Sequence, residues 1–296
     1  MTGVAARVPA ATPWVFVLIW STGFVVARYG MPHAGPMSFL SLRFLLSVAA
    51  FGLWIAIARV AWPRGAAQWG HLAVTGLLMQ AGYLGGVWAA VKQGLGAGPV
   101  ALIVGLQPVL TAVWISALGA RSGSGQGVTS RQWLGLGLGL AGLLLVVWQK
   151  LHAGLLTPLN LSLAVLALLS ITAGTLYQKR WVAPCDVRSA SVVQLGAAFA
   201  LTLPLALLEP HHFDLHPQFI GAMAWSVLVL TLGGSSLLYM LIQRGAATAV
   251  TSLMYLVPPC TALLAWLLFG EVFTAFGLVG LLLTAAGVAL VIRPRA

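Results

Sequence analysis

The chain has 296 residues, of which 60% are hydrophobic and only 6% charged, and its net charge is +11. A water-soluble protein of this size with so few charges would have no polar surface to show, so the composition excludes a soluble domain. The basic excess does not point to nucleic acid either, because Lys and Arg stand singly in short loops and form no patch interleaved with aromatic residues.

Apolar runs long enough to cross a hydrocarbon layer of roughly 30 Å recur along the whole chain. In order they predict spans over 14–33, 37–58, 70–91, 99–119, 132–149, 159–177, 189–208, 219–241, 247–269 and 273–292, an all-α integral membrane protein with ten transmembrane helices. Arg28 interrupts the first span. Arg7 precedes it and no small-residue cleavage site follows a short apolar region, so it reads as a retained helix and not a removed signal. Trp14, Trp62, Trp69, Trp133, Trp148 and Trp181 fall near span ends, where indole rings prefer the membrane interface. Cys185 lies in a loop and Cys260 deep in a span, which predicts neither a disulfide nor a metal pair.

Ten spans place both termini on one side. Arg7, Arg59, Arg64, Arg121, Arg131, Lys179, Arg180, Arg188, Arg244, Arg293 and Arg295 collect there, eleven of the fifteen basic residues. Arg28, Lys92 and Lys150 fall on the other side, with Arg43 inside a span. Basic loops stay cytoplasmic, so both termini are expected in the cytoplasm.

The chain also repeats. Shifted by 150 residues, LQPVLTA (106–112) lies on LVPPCTA (256–262), bringing Pro108 onto Pro258 and Thr111 onto Thr261. Beyond the loop RSGSGQGVTS the offset becomes 145, which sets Gly135 on Gly280 and Gly142 on Gly287. The expected units are 1–150 and 151–296, each with five spans. Five is odd, so the second half runs through the membrane in the opposite sense, as in the inverted repeats of alternating-access carriers.

Pro108 and Pro258 are predicted near the centres of their spans, where each removes a helical N–H. The carbonyls of Val104, Met254 and Tyr255 then lose their ordinary partners and must face protein or a wet cavity. Matched breaks in the two halves point to a substrate site between them. Candidate lining residues follow. Trp20 sits inside the first span, Gln80 and Tyr83 share a face of the third, and Gln107 precedes Pro108. Ser235 and Tyr239 share a face of the eighth span, and Ser252 and Tyr255 stand beside Pro258. Aromatic walls with a few amides and hydroxyls suit a small zwitterion. Among the cations, Arg28 is expected to meet a substrate carboxylate, while Arg43 and Lys92 are expected to snorkel or to bond a neighbouring helix. The GxxxG pair Gly135 and Gly139 reads as close packing within a monomer, with a dimer face the weaker alternative.

LRFLLSVAAFGLW in the second span, QGLGAGPVALIVGLQPVLTA, its partner QRGAATAVTSLMYLVPPCTALLAWLLFGE and the closing GLVGLLLTAAGVALV resemble the EamA-type exporters of the drug/metabolite transporter superfamily. The overall pattern is most similar to the YddG-type exporters of aromatic and other amino acids. That resemblance implies a broad-specificity exporter of amino acids and related small metabolites, possible drugs included, in a bacterial inner membrane. It implies no cofactor. The family often carries an acid after the fourth span as well as the ninth; here Glu271 is present, but GARS (119–122) stands in the first half.

Other classes fit less well. The six histidines lie at or near span ends or in loops, and no carboxylate lies at mid-depth, so an intramembrane enzyme or metal site is not expected. The same absence predicts transport down the substrate's own gradient, with a proton-coupled drug/metabolite exporter and a channel-like pore as the alternatives. The charge sorting is directly testable. A reporter fused after Ala296 is expected to be active on the cytoplasmic side and a cysteine at position 213 to label from outside; external labelling at the C-terminus would overturn the ten-span topology.

Overall fold

The computed structural model describes residues 12–107, 109–111, 113–114, 130–152, 156–210, 213–234, 237, 256–271 and 274–292. Every regular element among them is helical, and the helices follow the expected spans in order. They are α1 (Thr12–Gly30), α2 (Pro36–Ala58), α3 (Ala66–Lys92), α4 (Ala97–Val104), α5 (Ser130–His152), α6 (Pro158–Trp181), α7 (Val187–Leu207), α8 (Pro217–Gly234), α9 (Val257–Phe269) and α10 (Ala275–Ile292). The protein is an all-α membrane protein of ten helices arranged as two inverted five-helix repeats.

Local chemistry sets the boundaries. Pro36, Pro158 and Pro217 occupy first turns, where a missing N–H costs nothing. Thr157 and Asn160 form a reciprocal capping box at the start of α6, with bonds of 3.1 and 3.0 Å. Asp186 caps α7 by accepting from the Arg188 N–H. Its carboxyl is held below the usual carboxylate range, chiefly by the side-chain hydrogen bond from Arg188.

Five helices, α2, α3, α6, α7 and α8, are long and apolar enough among the described residues to cross a membrane, and the others contribute shorter apolar stretches. The bundle shows its apolar side chains to the outside: Ile57 is 74% exposed and Leu144 64%. That surface suits lipid. All six tryptophans expected at the interface are exposed, at or beside helix ends, while Trp88 is packed in the core between helices.

Helices related by the repeat pack on each other: α2 on α7, α4 on α9 and α5 on α10. The last pair shows why the glycines recur. A Cβ at Gly142 would run into the carbonyl of Gly280 and into Thr284, and one at Gly287 would run into the carbonyl of Gly135 and the backbone of Gly139. These are one contact, made twice through the internal symmetry. The GxxxG pair is therefore used within the chain, where small residues let two backbones touch. Gly142→Leu is expected to lower stability by about 1–3 kcal/mol through overpacking. Gly137→Leu, built where an added Cβ has nothing within 4 Å, should leave the thermal unfolding midpoint of the purified protein nearly unchanged.

Candidate functional site

The helices at the centre of the bundle leave α-geometry part-way along. α3 widens into a π-helical turn over Leu77–Gly82, and its repeat partner α8 does so over Trp225–Gly234. Within the second, the Thr231 hydroxyl donates to the carbonyl of Ser226, five residues back, at 2.8 Å. Such turns are frequent at functional sites, because they free backbone groups and redirect side chains. α4 stops at Val104; Leu106 N–H then bonds the Ile103 carbonyl at 3.1 Å, a tightened turn just before Pro108. Gly105, just past α4, lies against the ring of Pro258 in the first turn of α9.

Pro258 stands in the first turn of α9, and residues 247–255 of the span expected to run through it lie outside the described residues. A proline there leaves no intrahelical bond unmade. The polar groups around it are tied to α1: Ser21 Oγ donates to the Val17 carbonyl at 2.7 Å and to the Val257 carbonyl at 3.5 Å, while Thr261 donates to the Ser21 carbonyl at 3.1 Å. Pro108, Ser235, Tyr239, Ser252, Met254 and Tyr255 lie outside the described residues.

Some of the expected lining residues lie on or next to elements that carry these turns. Trp20 is half-buried, 5.3 Å from the Phe16 ring and near Gly234. Gln80 is half-buried within the α3 π-turn, and Tyr83 immediately follows it. Gln107 donates to Thr175 on α6 at 2.9 Å. Tyr83, also half-buried, lies within electrostatic reach of Arg43. Arg43 does not snorkel. It is only 7% exposed, and its Nε and Nη2 donate to Thr231 Oγ at 3.3 and 3.1 Å. Of the two readings of this residue, the structure selects the bond to a neighbouring helix.

Arg28 lies elsewhere, in the last turn of α1, where Nη1 pairs with Glu271 at 2.9 Å and the guanidinium sits 5.1 Å from the Phe269 ring centre. An acid close by draws the cation, so in this structure Arg28 faces a protein carboxylate. Lys92 spans from α3 to the end of α1, donating to the carbonyls of Met31 at 2.6 Å and Ala34 at 3.3 Å.

The sequence reading missed what the glutamates do. Glu271 also accepts from the Ala97 N–H at 3.1 Å, and Glu209 accepts from Met37 N–H, Ser38 N–H and Ser38 Oγ at 2.9, 2.9 and 2.8 Å. Each glutamate, from just past one helix, caps the first turn of that helix's repeat partner: α7 to α2 and α9 to α4. A signal was present. Gly35 and Gly96, the residues before those two helices, have ordinary negative φ, yet a Cβ at either would strike the capping carboxylate. Glycine is there for room, not for backbone freedom. Beside this cluster, His33 bonds Asp214 at 2.9 Å and stacks on His216.

The fold and its central departures from helix can be set beside known proteins. The EamA-like transporter family matches twice, over residues 14–148 and 159–293. The chain belongs to the EamA-like transporter family. A probable amino-acid metabolite efflux pump of Salmonella typhimurium is 25% identical over 92% of this chain and 90% of its own length. The inner membrane transporter YedA of Escherichia coli K12, whose substrate its description does not give, is 24% identical over 86% of this chain and 80% of its own. One crystal structure shares the fold with a TM-score of 0.62 at 16% identity, covering 95% of both chains.

The Glu271 cluster separates two contributions. Arg28 is 38% exposed, so its ion pair is worth about 0.2–1 kcal/mol. A carboxylate accepting from helix N–H groups contributes more, about 1.5–3 kcal/mol. Glu271→Ala is therefore expected to lower the unfolding midpoint clearly more than Arg28→Met. Equal losses would make the ion pair, not the helix cap, the main contribution.

Proposed function

We propose that this EamA-family membrane protein exports amino acids and related small metabolites, aromatic ones included, by alternating access in a bacterial inner membrane with both termini cytoplasmic. The observation that carries the reading is the pairing of non-helical geometry across the inverted repeats, with π-turns in α3 and α8, and Gly105 past α4 lying against the Pro258 ring of α9. Matched irregular backbone at depth, in helices related by an inverted repeat, supports a substrate path between the two halves. Trp20, Gln80, Tyr83, Gln107 and Pro258, with Pro108, Tyr239, Ser252 and Tyr255 of the same spans, are the proposed lining. The substrate class draws on the probable amino-acid metabolite efflux pumps among the relatives, from Salmonella typhimurium and Escherichia coli. The inner membrane draws on YedA.

The energy source follows from where the acids sit. All four lie at or beyond helix ends: Asp186, Glu209, Asp214 and Glu271. A proton-coupled carrier usually keeps a titratable group on its path within the membrane, so the reading is transport down the substrate's gradient. In proteoliposomes, labelled amino acids are expected to show saturable flux and counterflow, with no accumulation driven by an imposed pH gradient. Uphill accumulation on a pH gradient would replace this with the proton-coupled reading and direct attention to Glu271. Flux without saturation or counterflow would indicate a pore.

A further inference from the structure

We propose that Arg43 is the anchor for a substrate carboxylate, held out to the path by Thr231. The assignment rests on the transporter reading above and names the chemical group that the site takes.

The argument is an accounting of charge. Arg43 lies on the buried face of α2, which continues through Ser47 and Phe51 at one-turn intervals. An arginine keeps its charge and has five N–H donors to satisfy. Yet among the described residues its side chain bonds only one group, the neutral Thr231 hydroxyl. That hydroxyl gives its own proton to the Ser226 carbonyl, so its lone pairs face Arg43 and orient the guanidinium. Among the described residues Nη1 has no hydrogen-bond partner. No acid remains to neutralise the cation: the chain has four, and each is engaged elsewhere. Glu209 caps α2, Glu271 caps α4 and pairs with Arg28, Asp186 pairs with Arg188, and Asp214 pairs with His33.

An unpaired cation inside a membrane protein is expensive, and such a group is retained for a purpose. The surroundings suit an oxyanion. Tyr83, directly after the α3 π-turn that holds Gln80, lies within electrostatic reach of the guanidinium. Ser47, one turn along α2, and Ser226, one turn before Thr231, have buried hydroxyls with no partner among the described residues. The direction of the side chain agrees. Phe39 meets Phe219 near the starts of α2 and α8; Arg43 is one turn deeper along α2, but Thr231 lies about three turns deeper along α8. The guanidinium therefore points into the bundle, towards the π-turns. A carboxylate is planar and takes two parallel N–H bonds from the free edge of such a group.

The test separates the carboxylate from the amine. Purified wild type, Arg43→Gln, Arg43→Lys and Thr231→Val are compared for thermal stabilisation by phenylalanine, 3-phenylpropionate and phenethylamine, and for flux of the same three labelled compounds in proteoliposomes. Wild type is expected to respond to both carboxylates and weakly to the amine. Arg43→Gln should lose carboxylate affinity by on the order of tenfold or more, Arg43→Lys should keep part of it, and Thr231→Val should lose severalfold. If Arg43→Gln does not fold, the other two variants carry the same comparison. A wild type that no carboxylate stabilises overturns the assignment, even if it moves the amine and so remains a transporter. Unchanged preference for carboxylate in the folded Arg43 or Thr231 variants, or its loss in Arg28→Gln instead, overturns it too. Carboxylate binding that depends on Arg43 without any flux would uphold the anchor and defeat the transport reading.

Discussion

Inside a bilayer no water is available to a backbone N–H or C=O, and this constraint organises the protein. It explains why every described regular element is a helix, and it makes the places where helices start, stop or widen informative. Where a helix begins close to the hydrocarbon, its first N–H groups need an acceptor. In α2 and α4 the acceptor is a glutamate supplied by the repeat partner. Where α3 and α8 widen, or α4 tightens after Val104, the irregular backbone carries buried residues such as Ala81, Ser226, Thr231 and Leu106. Side chains such as Ser21, Thr231 and Thr261 then take up carbonyls of their own or neighbouring helices.

The same constraint gives the internal repeat its physical content. The repeat pairs α2 with α7, α4 with α9 and α5 with α10, and each pair is in contact. Close approach is bought with glycine: Gly142 and Gly287 at the α5–α10 seam, Gly105 under the Pro258 ring, Gly35 and Gly96 under the capping carboxylates. The symmetry is nevertheless incomplete in charge. Glu209 and Glu271 both cap helices at one end of the bundle, and at the other end α7 is capped by its own Asp186. One end of the bundle is held by carboxylates that reach across between repeat partners.

Scarcity of acids gives the arginines their different characters. Arg28 is partly exposed, stacked near Phe269 and matched to Glu271. Arg43 is buried and, among the described residues, matched only to a hydroxyl. Judged by position along the sequence, Arg28 near a span end was the candidate to meet a carboxylate, and Arg43 could reach outward along its own stem. Sequence position cannot tell these apart, because a long side chain reaches about as far as a helical turn rises, and whichever acid comes within that reach determines the pairing.

Composition, hydropathy and the positions of glycine and proline were enough to determine the class of this protein, the order of its ten helices and the inverted repeat. These properties depend on transfer of long apolar segments into lipid and on local backbone chemistry, and both are written in contiguous residues. The sequence also located α3, α4, α8 and α9 as the helices of interest, because a proline or a cluster of polar residues within an apolar run is costly wherever it is placed. Tertiary structure alone decided that Glu271 belongs to Arg28 and Ala97, that Glu209 belongs to Ser38, and that Pro258 opens a helix. It also decided that Arg43 is left with Thr231. Those outcomes depend on which groups from distant parts of the chain come within about 3 Å of one another, and hydrogen bonds and ion pairs at that range leave no periodic trace in the sequence.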